Sequence, residues 1–536
     1  MTTTEAANVA TALIDLLAEY GVDTVFGIPG VHTLEFYRHL SNSALTHVVT
    51  RHEQGAAFMA DGYARASGKP GVALVISGPG VTNTATALGQ AYADSIPLLL
   101  ISTVNRLDSL GKGWGLLHEL TDQDAVTRPM TSFSATARSV AEVPELLARA
   151  FTQFRGGRAR PVHISIPLDL LYEPVTGPWP VAPGLERLIL DTAPLDAMVN
   201  ELRQAQSPLI LIGGGAVAAG ESLTSLAEQL QSPVISTSNG KGVIPDLHPL
   251  HLAGTLGRPE VHGLIESADR VLVVGSELAE SGNCVKTMSL ENKLLRIDID
   301  QKKLDDKYPA LVAVCADASD SCDYLNRKLA GFKLEGQNAT GTVAGVRDAI
   351  SNNLVPAQQR HIRVLQTLRA AIPEDSLIMA DATQLVYTGM FGMPVSAPRL
   401  WHYPAGFLTL GSALPCAIGA QLALPDRPVT VFVGDGGFLF TVQELLTAAE
   451  QGLPLVIILW NNNSLKQIKD DMQAGRMQTL AVDNLNPEFS TLVQSCRCLW
   501  RQPHSHAELV EIVRQAFKAD RPTVVEIDEY AEWIDD

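Results

Sequence analysis

The 536-residue sequence has few cysteines, and no pattern organises them. The six are Cys284, Cys315, Cys322, Cys416, Cys496 and Cys498. They lack the paired spacing of zinc sites, and nothing indicates a disulfide framework. Free thiols in a reducing compartment are therefore the expectation.

Long apolar runs are also absent. No stretch reaches about 18 uninterrupted apolar residues, the length that a membrane-spanning helix requires. The segment from Met1 to Glu5 lacks the basic and apolar parts of a signal peptide. Low-complexity tracts and short repeats are missing too. We therefore expect a cytoplasmic protein.

Positive charge is scarce, since 40 Lys and Arg residues face 58 Asp and Glu residues and the net charge is −18. This balance opposes nonspecific binding to nucleic acid or to an anionic membrane. A hydrophobic content of 46% is ample for burial, and the length is too great for one core. We expect three or four domains.

Two apolar, β-rich runs in the last third each end in polar residues. Residues 429–433 lead into Gly434-Asp435-Gly436-Gly437, and residues 455–460 lead into Asn461-Asn462-Asn463. Both runs are predicted to be buried parallel strands. Between them, Thr441-Val442-Gln443-Glu444 has the form of a helix capping box. The sequence therefore predicts a βαβ unit.

In such a unit the carboxyl ends of the two strands lie side by side, so the Asp435 carboxylate and the Asn462 amide oxygen can reach one cation. Hard oxygen ligands suit Mg²⁺ or Ca²⁺. Gly436 and Gly437 add exposed backbone N–H groups, which suit a diphosphate. The predicted ligand is a metal diphosphate, whereas a Gly-Asp-Gly alone would favour an ordinary turn after a strand.

Together these motifs resemble the thiamine diphosphate fingerprint of the acetolactate synthase and pyruvate decarboxylase superfamily. The first third adds segments that resemble the pyrimidine-binding domain of that superfamily. They are Thr50-Arg51-His52-Glu53, Gly68-Lys69-Pro70, Gly78-Pro79-Gly80-Val81-Thr82-Asn83 and residues 91–97. The resemblance covers nearly the whole length and implies thiamine diphosphate and Mg²⁺ as cofactors.

The expected fold class is α/β, with three doubly wound parallel-sheet domains. They are a pyrimidine-binding domain at residues 1–185, a Rossmann-like middle domain at 186–340 and a diphosphate- and Mg²⁺-binding domain at 361–536. Residues near 335 to 360, with Gly336, Gly341 and Gly345, are predicted to be a loose polar connector. The Gly213–Gly215 run lacks the G-x-G-x-x-G spacing and favours tight strand-to-helix packing. Some members of the superfamily carry FAD in this domain, so FAD stays open.

The resemblance makes Glu53 the cofactor-activating acid. A carboxyl group bonded to ring N1′ favours the imino tautomer, whose N4′ then takes the proton from thiazolium C2. The apolar residues 56–59 would set the protonation of this carboxyl. From the residues alone, Glu53 could simply complement a helix dipole.

The resemblance assigns the metal to the Asp435 and Asn462 side chains and to the main-chain carbonyl of Ser464. The other implied cofactor contacts are Thr383, Gln384, Leu408, Leu410, Gly434, Gly436 and Gly437. Leu410 matches the apolar wedge that bends the cofactor and brings N4′ next to C2. The Leu408 carbonyl would accept from N4′. Without the resemblance, Thr383-Gln384 fits a polar turn and Leu410 fits a core position.

Two departures from the superfamily pattern concern the pocket. Relatives usually have Gly where Leu408 stands, and they tend to read Asn-Asn-x-Gly-Tyr where this chain has Asn461-Asn462-Asn463-Ser464-Leu465. Neither change removes the required backbone carbonyl. Both are expected to narrow the pocket, lower activity or shift the substrate.

The implied reaction is non-oxidative decarboxylation of a 2-oxo acid. There is no adjacent His-His pair and Val31 follows Gly30, which argues against a simple pyruvate decarboxylase. Residues 27–34 and 117–123 look most like the 5-guanidino-2-oxopentanoate decarboxylase-like subgroup. Glu119, Asp122 and Asp124 could meet a cationic substrate tail, although a solvated acidic loop explains them equally well. The alternatives are an acetolactate synthase-like carboligase and a degenerate, non-catalytic subunit.

His32 and His118 are the candidates for proton transfer near the substrate carbonyl, with Gln123 a weaker one. Structural histidines would fit the same positions. In the superfamily one site takes its pyrimidine-binding and diphosphate-binding domains from two chains, which would place Glu53 and Asp435 of one site on different subunits. We expect a homodimer at least, commonly a homotetramer, and a small 2-oxo acid as the binding partner.

Overall fold

The computed structural model describes residues 7–183, 190–336 and 338–536. These residues form three six-stranded sheets in which every strand pairing is parallel. The prediction of three doubly wound α/β units is therefore confirmed. The N-terminal segment judged for a signal peptide and the boundary at 185–186 lie outside the described residues. Within them, no helix is long and apolar enough to cross a membrane.

The first sheet has the strand order β2-β1-β3-β4-β6-β5. Its strands are β1 (Thr24–Gly27), β2 (Thr46–Val49), β3 (Gly71–Val75), β4 (Leu98–Val104), β5 (Phe133–Thr136) and β6 (Val162–Pro167). The helices are α1 (Val9–Glu19), α2 (Leu34–Leu40), α3 (Glu53–Ser67), α4 (Pro79–Asn83), α5 (Ala85–Ala93), α6 (Gln123–Thr127) and α7 (Glu142–Gly156). The central strands β3 and β4 are buried along their whole length, as apolar runs covered on both faces should be.

The middle sheet has the order β12-β11-β10-β7-β8-β9. Its strands are β7 (Pro208–Ile212), β8 (Val234–Ser236), β9 (His251–Leu252), β10 (Arg270–Val274), β11 (Leu294–Asp298) and β12 (Val312–Cys315). The helices are α8 (Thr192–Gln204), α9 (Gly220–Leu230), α10 (Pro259–Ser267), α11 (Glu280–Asn283), α12 (Ala318–Lys328) and α13 (Ala339–Asn352). A Cβ on Gly213 would lie 2.2 Å from the Gly275 carbonyl oxygen, so tight packing explains this glycine.

The third sheet has the order β14-β13-β15-β16-β18-β17. Its strands are β13 (Leu377–Ala380), β14 (Trp401–His402), β15 (Val429–Gly434), β16 (Val456–Asn461), β17 (Leu499–Arg501) and β18 (Thr523–Asp528). The helices are α14 (Pro356–Ala371), α15 (Gln384–Gly392), α16 (Ala413–Ala423), α17 (Asp435–Thr441), α18 (Glu444–Glu450), α19 (Lys466–Ala474), α20 (Phe489–Ser495) and α21 (His506–Ala516). The predicted βαβ unit is present, because β15 and β16 pair directly and in parallel.

The loose connector predicted near residues 335–360 is wrong over most of its length. Residues 339–352 form α13, and its Val343 and Ile350 are buried in the core of the middle sheet. The next helix, α14, already begins at Pro356. Glycine and polar content suggested a linker, but the buried apolar face of α13 outweighs the low helix propensity of Gly341 and Gly345.

The predicted capping box at Thr441 is also wrong. The Thr441 hydroxyl donates to the Gly411 carbonyl at 2.8 Å, and the Glu444 carboxylate accepts from backbone N–H groups of Arg51 and His52. Gln443 takes the N-cap position of α18 without a side-chain capping bond. Tertiary contacts have thus replaced the local motif.

The first and third domains meet where α3 crosses α16 at backbone contact. A Cβ on Gly62 would lie 2.0 Å from the Cys416 carbonyl oxygen, and one on Gly419 would lie 1.9 Å from that of Met59. Such distances leave no space for a side chain. The two glycines therefore fix how closely the two domains approach.

We expect Gly419→Ala to lower the free energy of unfolding by at least about 2 kcal/mol, because the helices must separate. Gly345→Ala is the control, since Gly345 lies within α13 and a Cβ there meets nothing within 4 Å. The control should stabilise by about 0.5–1 kcal/mol. Thermal and denaturant unfolding would measure both, and equal effects of the two substitutions would contradict the close-contact argument.

Candidate active site

The residues predicted to bind a metal come together at two neighbouring strand ends. Asp435 follows β15 as the first residue of α17, and Asn462 follows β16. Their exposed fractions are 2% and 6%. The nearby backbone N–H of Asn463, beyond the second strand, acts to lower the pKa of the Asp435 carboxylate, so the two strand ends are electrostatically linked.

The amide of Asn462 is oriented by a residue that the sequence did not reveal. Its Nδ2 donates to Glu529 Oε2 at 2.8 Å, and Trp460 Nε1 donates to the same oxygen at 2.9 Å. The amide oxygen of Asn462 therefore points the other way, where it accepts from the backbone N–H of Ser464 at 3.1 Å. Glu529 lies just beyond β18, the strand beside β16. Its position after a third strand that ends in polar residues was the sequence signal that could have identified it.

Asn486 is a second residue that the sequence did not reveal. Its Nδ2 donates to Asp435 Oδ2 at 2.6 Å and to the side-chain oxygens of Asn461 and Asn463 at 3.2 and 3.1 Å. Its own Oδ1 is buried and has no hydrogen-bond partner within the described part of the chain. No periodic pattern marks this loop position, so only the folded chain brings it to the site.

This set of oxygens fits a hard divalent cation. A buried carboxylate, an oriented amide oxygen and a buried amide oxygen without a partner are the kinds of oxygen that Mg²⁺ or Ca²⁺ binds. Burial raises the pKa of Asp435, while hydrogen bonds from Asn486 and nearby backbone N–H groups act in the opposite direction. A bound cation would remove the cost of this buried charge.

The predicted diphosphate-binding glycines are closely packed against side chains that follow β13. A Cβ on Gly434 would lie 2.7 Å from Thr383 Oγ1, and one on Gly437 would lie 2.4 Å from Asp381 Oδ2. Thr383 is the N-cap residue of α15 but makes no side-chain capping bond there, so its hydroxyl faces Gly434 instead. Gln384 donates to Gln467 Oε1 at 3.0 Å. These placements fit backbone and hydroxyl donors to a diphosphate.

The predicted wedge, Leu410, is half-buried in a loop that is held on its C-terminal side. The N–H of Gly411 donates to Asp381 Oδ2 at 2.6 Å, and the Gly411 carbonyl accepts from the Thr441 hydroxyl at 2.8 Å. Gly411 has a φ of +80°, and a Cβ there would lie 2.5 Å from Phe440 Cβ. Burial raises the pKa of Asp381 to about 6.

Leu408 has a backbone conformation that explains why glycine is usual at this position. Its φ is +56°, and its side chain is largely exposed. Its N–H donates to the Pro404 carbonyl at 2.8 Å, which closes a tight turn. A left-handed leucine costs about 1–2 kcal/mol. The departure from the superfamily pattern therefore places a leucine in a strained turn.

Glu53 opens α3 as predicted, and its carboxylate accepts from Asn83 Nδ2 at 2.9 Å. The next residues, 56–59, are fully buried. The start of this helix is fixed by Glu444, whose carboxylate accepts from the backbone N–H groups of Arg51 and His52 at 3.1 Å each. The expected sharing of one site between two subunits concerns a second chain and stays a prediction.

His32, His118 and Gln123 meet around Ser77 and Gly78. The two imidazole rings lie edge to face with centroids 5.1 Å apart, and His32 Nδ1 is hydrogen-bonded to the Ser77 hydroxyl. Burial and the neighbouring His118 lower the pKa of His32. His118 has a φ of +57°, and its buried Nδ1 has no hydrogen-bond partner among the described residues. The lowered pKa favours the neutral ring of His32, and the unpartnered nitrogen of His118 leaves that ring able to accept a hydrogen bond or a proton.

Gln123 is fixed by hydrogen bonds at both ends of its side-chain amide. Its Oε1 accepts from the Gly78 N–H at 2.9 Å, and its Nε2 donates to the Ser102 hydroxyl, the Thr103 carbonyl and the Ser165 hydroxyl at 2.9–3.0 Å. The side chain is buried. Its role in the structure is to fix the turn at Gly78 beside the histidines.

The three acidic residues considered for a cationic substrate already have partners. Glu119 accepts from four successive backbone N–H groups, those of residues 113–116, at 2.7–3.2 Å. Asp122 caps α6 through the Ala125 N–H, and Asp124 accepts from the Thr136 hydroxyl at 2.9 Å. The arrangement favours loop-forming roles for these carboxylates.

Comparison with known proteins agrees with this geometry. Models of the thiamine pyrophosphate enzyme match residues 7–126 as the N-terminal TPP binding domain, 195–325 as the central domain and 381–527 as the C-terminal TPP binding domain. The chain is 48% identical to a probable 2-ketoarginine decarboxylase, AruI, of Pseudomonas aeruginosa over 96% of this chain and 93% of that protein. It is 33% identical to the acetolactate synthase isozyme 1 large subunit of Escherichia coli, covering 84% and 81%. A probable acetolactate synthase large subunit of Methanococcus aeolicus is 29% identical, covering 97% and 91%.

Asp435→Asn should weaken cofactor binding without lowering the stability of the cofactor-free protein. The raised folded-state pKa means that ionised Asp435 destabilises the cofactor-free protein at neutral pH, and this cost falls as the pH falls toward that pKa. The amide should therefore keep or raise the cofactor-free melting temperature while weakening Mg²⁺–thiamine diphosphate binding by on the order of 100-fold. Calorimetry and thermal unfolding would measure both. Asp520→Asn, at an exposed carboxylate, should change neither, and a lower melting temperature of the Asp435 variant would contradict the argument.

Leu408→Gly should raise the free energy of unfolding by about 0.5–1 kcal/mol, because glycine relieves the left-handed strain and part of that gain is lost to a freer unfolded chain. Leu408→Ala is the matched control, since it removes the same side chain and keeps the Cβ. Denaturant unfolding of both variants would test this. Equal stabilisation by alanine would assign the effect to the side chain and not to the backbone.

Proposed function

The chain belongs to the thiamine pyrophosphate enzyme family, and we propose that it catalyses the Mg²⁺-dependent, non-oxidative decarboxylation of a 2-oxo acid that carries a guanidinium group. The observation that carries this proposal is the buried Asp435 beside the oriented Asn462 at neighbouring strand ends. That arrangement suits one cation with a diphosphate, which is how we propose that thiamine diphosphate is held. Thr383, Gln384 and the N–H groups of Gly436 and Gly437 are the proposed diphosphate contacts.

When bound, thiamine diphosphate supplies a thiazolium carbon that adds to the 2-oxo carbonyl and accepts the electron pair released with CO₂. Over the whole reaction the bond between the carboxylate and the carbonyl carbon breaks, and one proton takes the place of CO₂. The product is an aldehyde one carbon shorter. This balance needs no oxidant or reductant.

We propose that Glu53 holds a proton at the pyrimidine ring, with Asn83 orienting its carboxylate. Leu410 would press on the cofactor from below, and the Leu408 carbonyl would accept from its amino group. His32 and His118 would hold or deliver the proton that the reacting carbon requires. If Glu53 serves the site of a neighbouring subunit, the working assembly is a homodimer or a homotetramer.

The proposed substrate is 5-guanidino-2-oxopentanoate, which is 2-ketoarginine. Its support is the 48% identity to a protein named as a probable 2-ketoarginine decarboxylase, over nearly the whole of both chains. The carboxylates of Glu119, Asp122 and Asp124 are engaged with the protein, so they contribute to this assignment only through the loop that they shape.

A carboligase is the second candidate, because acetolactate synthase large subunits are also similar over most of the chain. The two functions differ only in what the reacting carbon meets after CO₂ leaves. A proton gives the aldehyde, whereas a second carbonyl compound gives a longer 2-hydroxy ketone or acid.

The test is to incubate the protein with thiamine diphosphate and Mg²⁺ and to supply 5-guanidino-2-oxopentanoate, uncharged 2-oxopentanoate or pyruvate. We expect CO₂ and 4-guanidinobutanal in equal amounts, with kcat/KM for the guanidino acid at least about tenfold above that for the uncharged acid. Glu53→Gln should bind the cofactor and lose turnover on every acid by on the order of 100-fold or more. Ligated products with little aldehyde would support the carboligase, and no CO₂ from any acid would support the inert subunit.

A further inference from the structure

We propose that Gln90 on α5 and Asp94, which directly follows α5, position the loop of residues 404–411, and through it the cofactor contacts of Leu408 and Leu410. The first domain would thereby set the geometry of a cofactor-binding element in the third domain of the same chain. The roles of Leu408 and Leu410 belong to the proposed function, on which this inference rests.

Gln90 binds the loop just before the wedge. It is 1% exposed, and its Oε1 accepts from both the backbone N–H and the hydroxyl of Thr409, at 3.2 and 2.9 Å. Its Nε2 donates to Asp94 Oδ2 at 2.7 Å, which fixes the orientation of the amide. A buried glutamine whose oxygen is committed to one loop residue acts as a positioning group.

Asp94 binds the start of the same loop and joins all three domains. Its Oδ1 accepts from the Gly406 N–H at 2.9 Å and from Asn239 Nδ2 of the middle domain at 3.2 Å. Its Oδ2 accepts from Arg65 Nη2 at 2.8 Å, in addition to Gln90. The Asp94 side chain is 1% exposed, so these charge-assisted bonds are shielded from water.

The contact between α5 and the loop is too close for either to shift freely. A Cβ on Gly406 would lie 2.7 Å from Ala93 Cβ, and one on Gly89 would lie 2.9 Å from the Phe407 ring. Both glycines bring the loop against the helix. The hydrogen bonds of Gln90 and Asp94 therefore join a helix and a loop that are already in close van der Waals contact.

The attachment points bracket the two residues that matter for the cofactor. Residues 406 and 409 are held by α5, and residue 411 is held by Asp381 and Thr441. Leu408 and Leu410 lie between these points, and Leu408 is in a left-handed conformation that an unrestrained loop would leave. Releasing residue 409 should let the Leu408 carbonyl and the Leu410 side chain move.

The test compares Gln90→Met with Gln421→Met. Gln421 is also a buried glutamine, at 2% exposure, and its Nε2 donates to three backbone carbonyls, those of Leu424, Pro425 and Arg427, at the far end of α16. The two variants lose comparable buried hydrogen bonds, but only one of them touches residues 404–411.

We expect Gln90→Met to speed amide hydrogen exchange of residues 406–411 in the cofactor-free protein by about tenfold, as loss of two buried hydrogen bonds implies. With cofactor bound, kcat should fall by on the order of tenfold, with KM changed less than about threefold, because the reacting groups are misplaced rather than unbound. Gln421→Met should lower the melting temperature and leave exchange in 406–411 and kcat as in the wild type.

Thr409→Val and Thr409→Ser provide a second comparison that changes only the loop. The valine variant loses the hydroxyl bond to Gln90 and should show part of the Gln90→Met effect, whereas serine keeps the hydroxyl and should restore wild-type exchange. Wild-type exchange of residues 406–411 in Gln90→Met, or the same loss of kcat in Gln421→Met, would overturn the proposal. Exchange and thiamine diphosphate affinity report on positioning even if no 2-oxo acid is turned over, so failure of the proposed function would be seen separately.

Discussion

The buried carboxylate of Asp435 is the constraint on which the site depends. A charge that is 2% exposed has lost most of its hydration, and in the chain itself its compensation comes from Asn486 and a few backbone N–H groups. The desolvation free energy of a buried carboxylate opposes folding, so this burial does not stabilise the protein. The burial is consistent with the proposal that Asp435 binds a cation. The parallel pairing of β15 and β16 places this carboxylate beside Asn462, and Glu529 accepts from the Asn462 amide nitrogen, so the amide oxygen faces Ser464.

The other part of the proposed cofactor site is the loop of residues 404–411 in the same domain, and contacts from the first domain hold this loop in place. Backbone contact between α3 and α16 fixes how the first and third domains meet, and the loop of residues 404–411 lies at that junction. Asp381, which follows β13, holds the end of this loop through Gly411. The proposed metal-binding strand ends and the proposed wedge thus lie along one sheet edge, and the loop of the wedge is also hydrogen-bonded to Gln90 of α5. Contacts from two domains thus fix the position of a loop in which Leu408 has a strained backbone conformation.

The sequence predicted the elements whose signals are local. The strand ends carrying Asp435 and Asn462, the helix opening at Glu53 and the three-domain arrangement all follow from apolar runs, turn residues and family motifs. Asn486, Glu529 and Gln90 act over separations of tens to hundreds of residues, and no periodicity marks them. The capping-box prediction failed for the same reason, because Glu444 satisfies backbone groups of another domain. The connector prediction failed because two buried apolar residues suffice to order a glycine-containing helix.

The histidine pair illustrates how burial and neighbours set chemistry that residue types leave open. His32 and His118 lie edge to face, and burial together with the neighbouring His118 lowers the pKa of His32. The Ser77 hydroxyl holds one ring, and Gln123 holds the Gly78 turn between them with every polar atom of its amide engaged. A side-chain amide does not titrate near neutral pH, whereas an imidazole does, and His118 Nδ1 has no hydrogen-bond partner among the described residues. The geometry therefore separates the three candidates into two groups suited to proton transfer and one that keeps them in place.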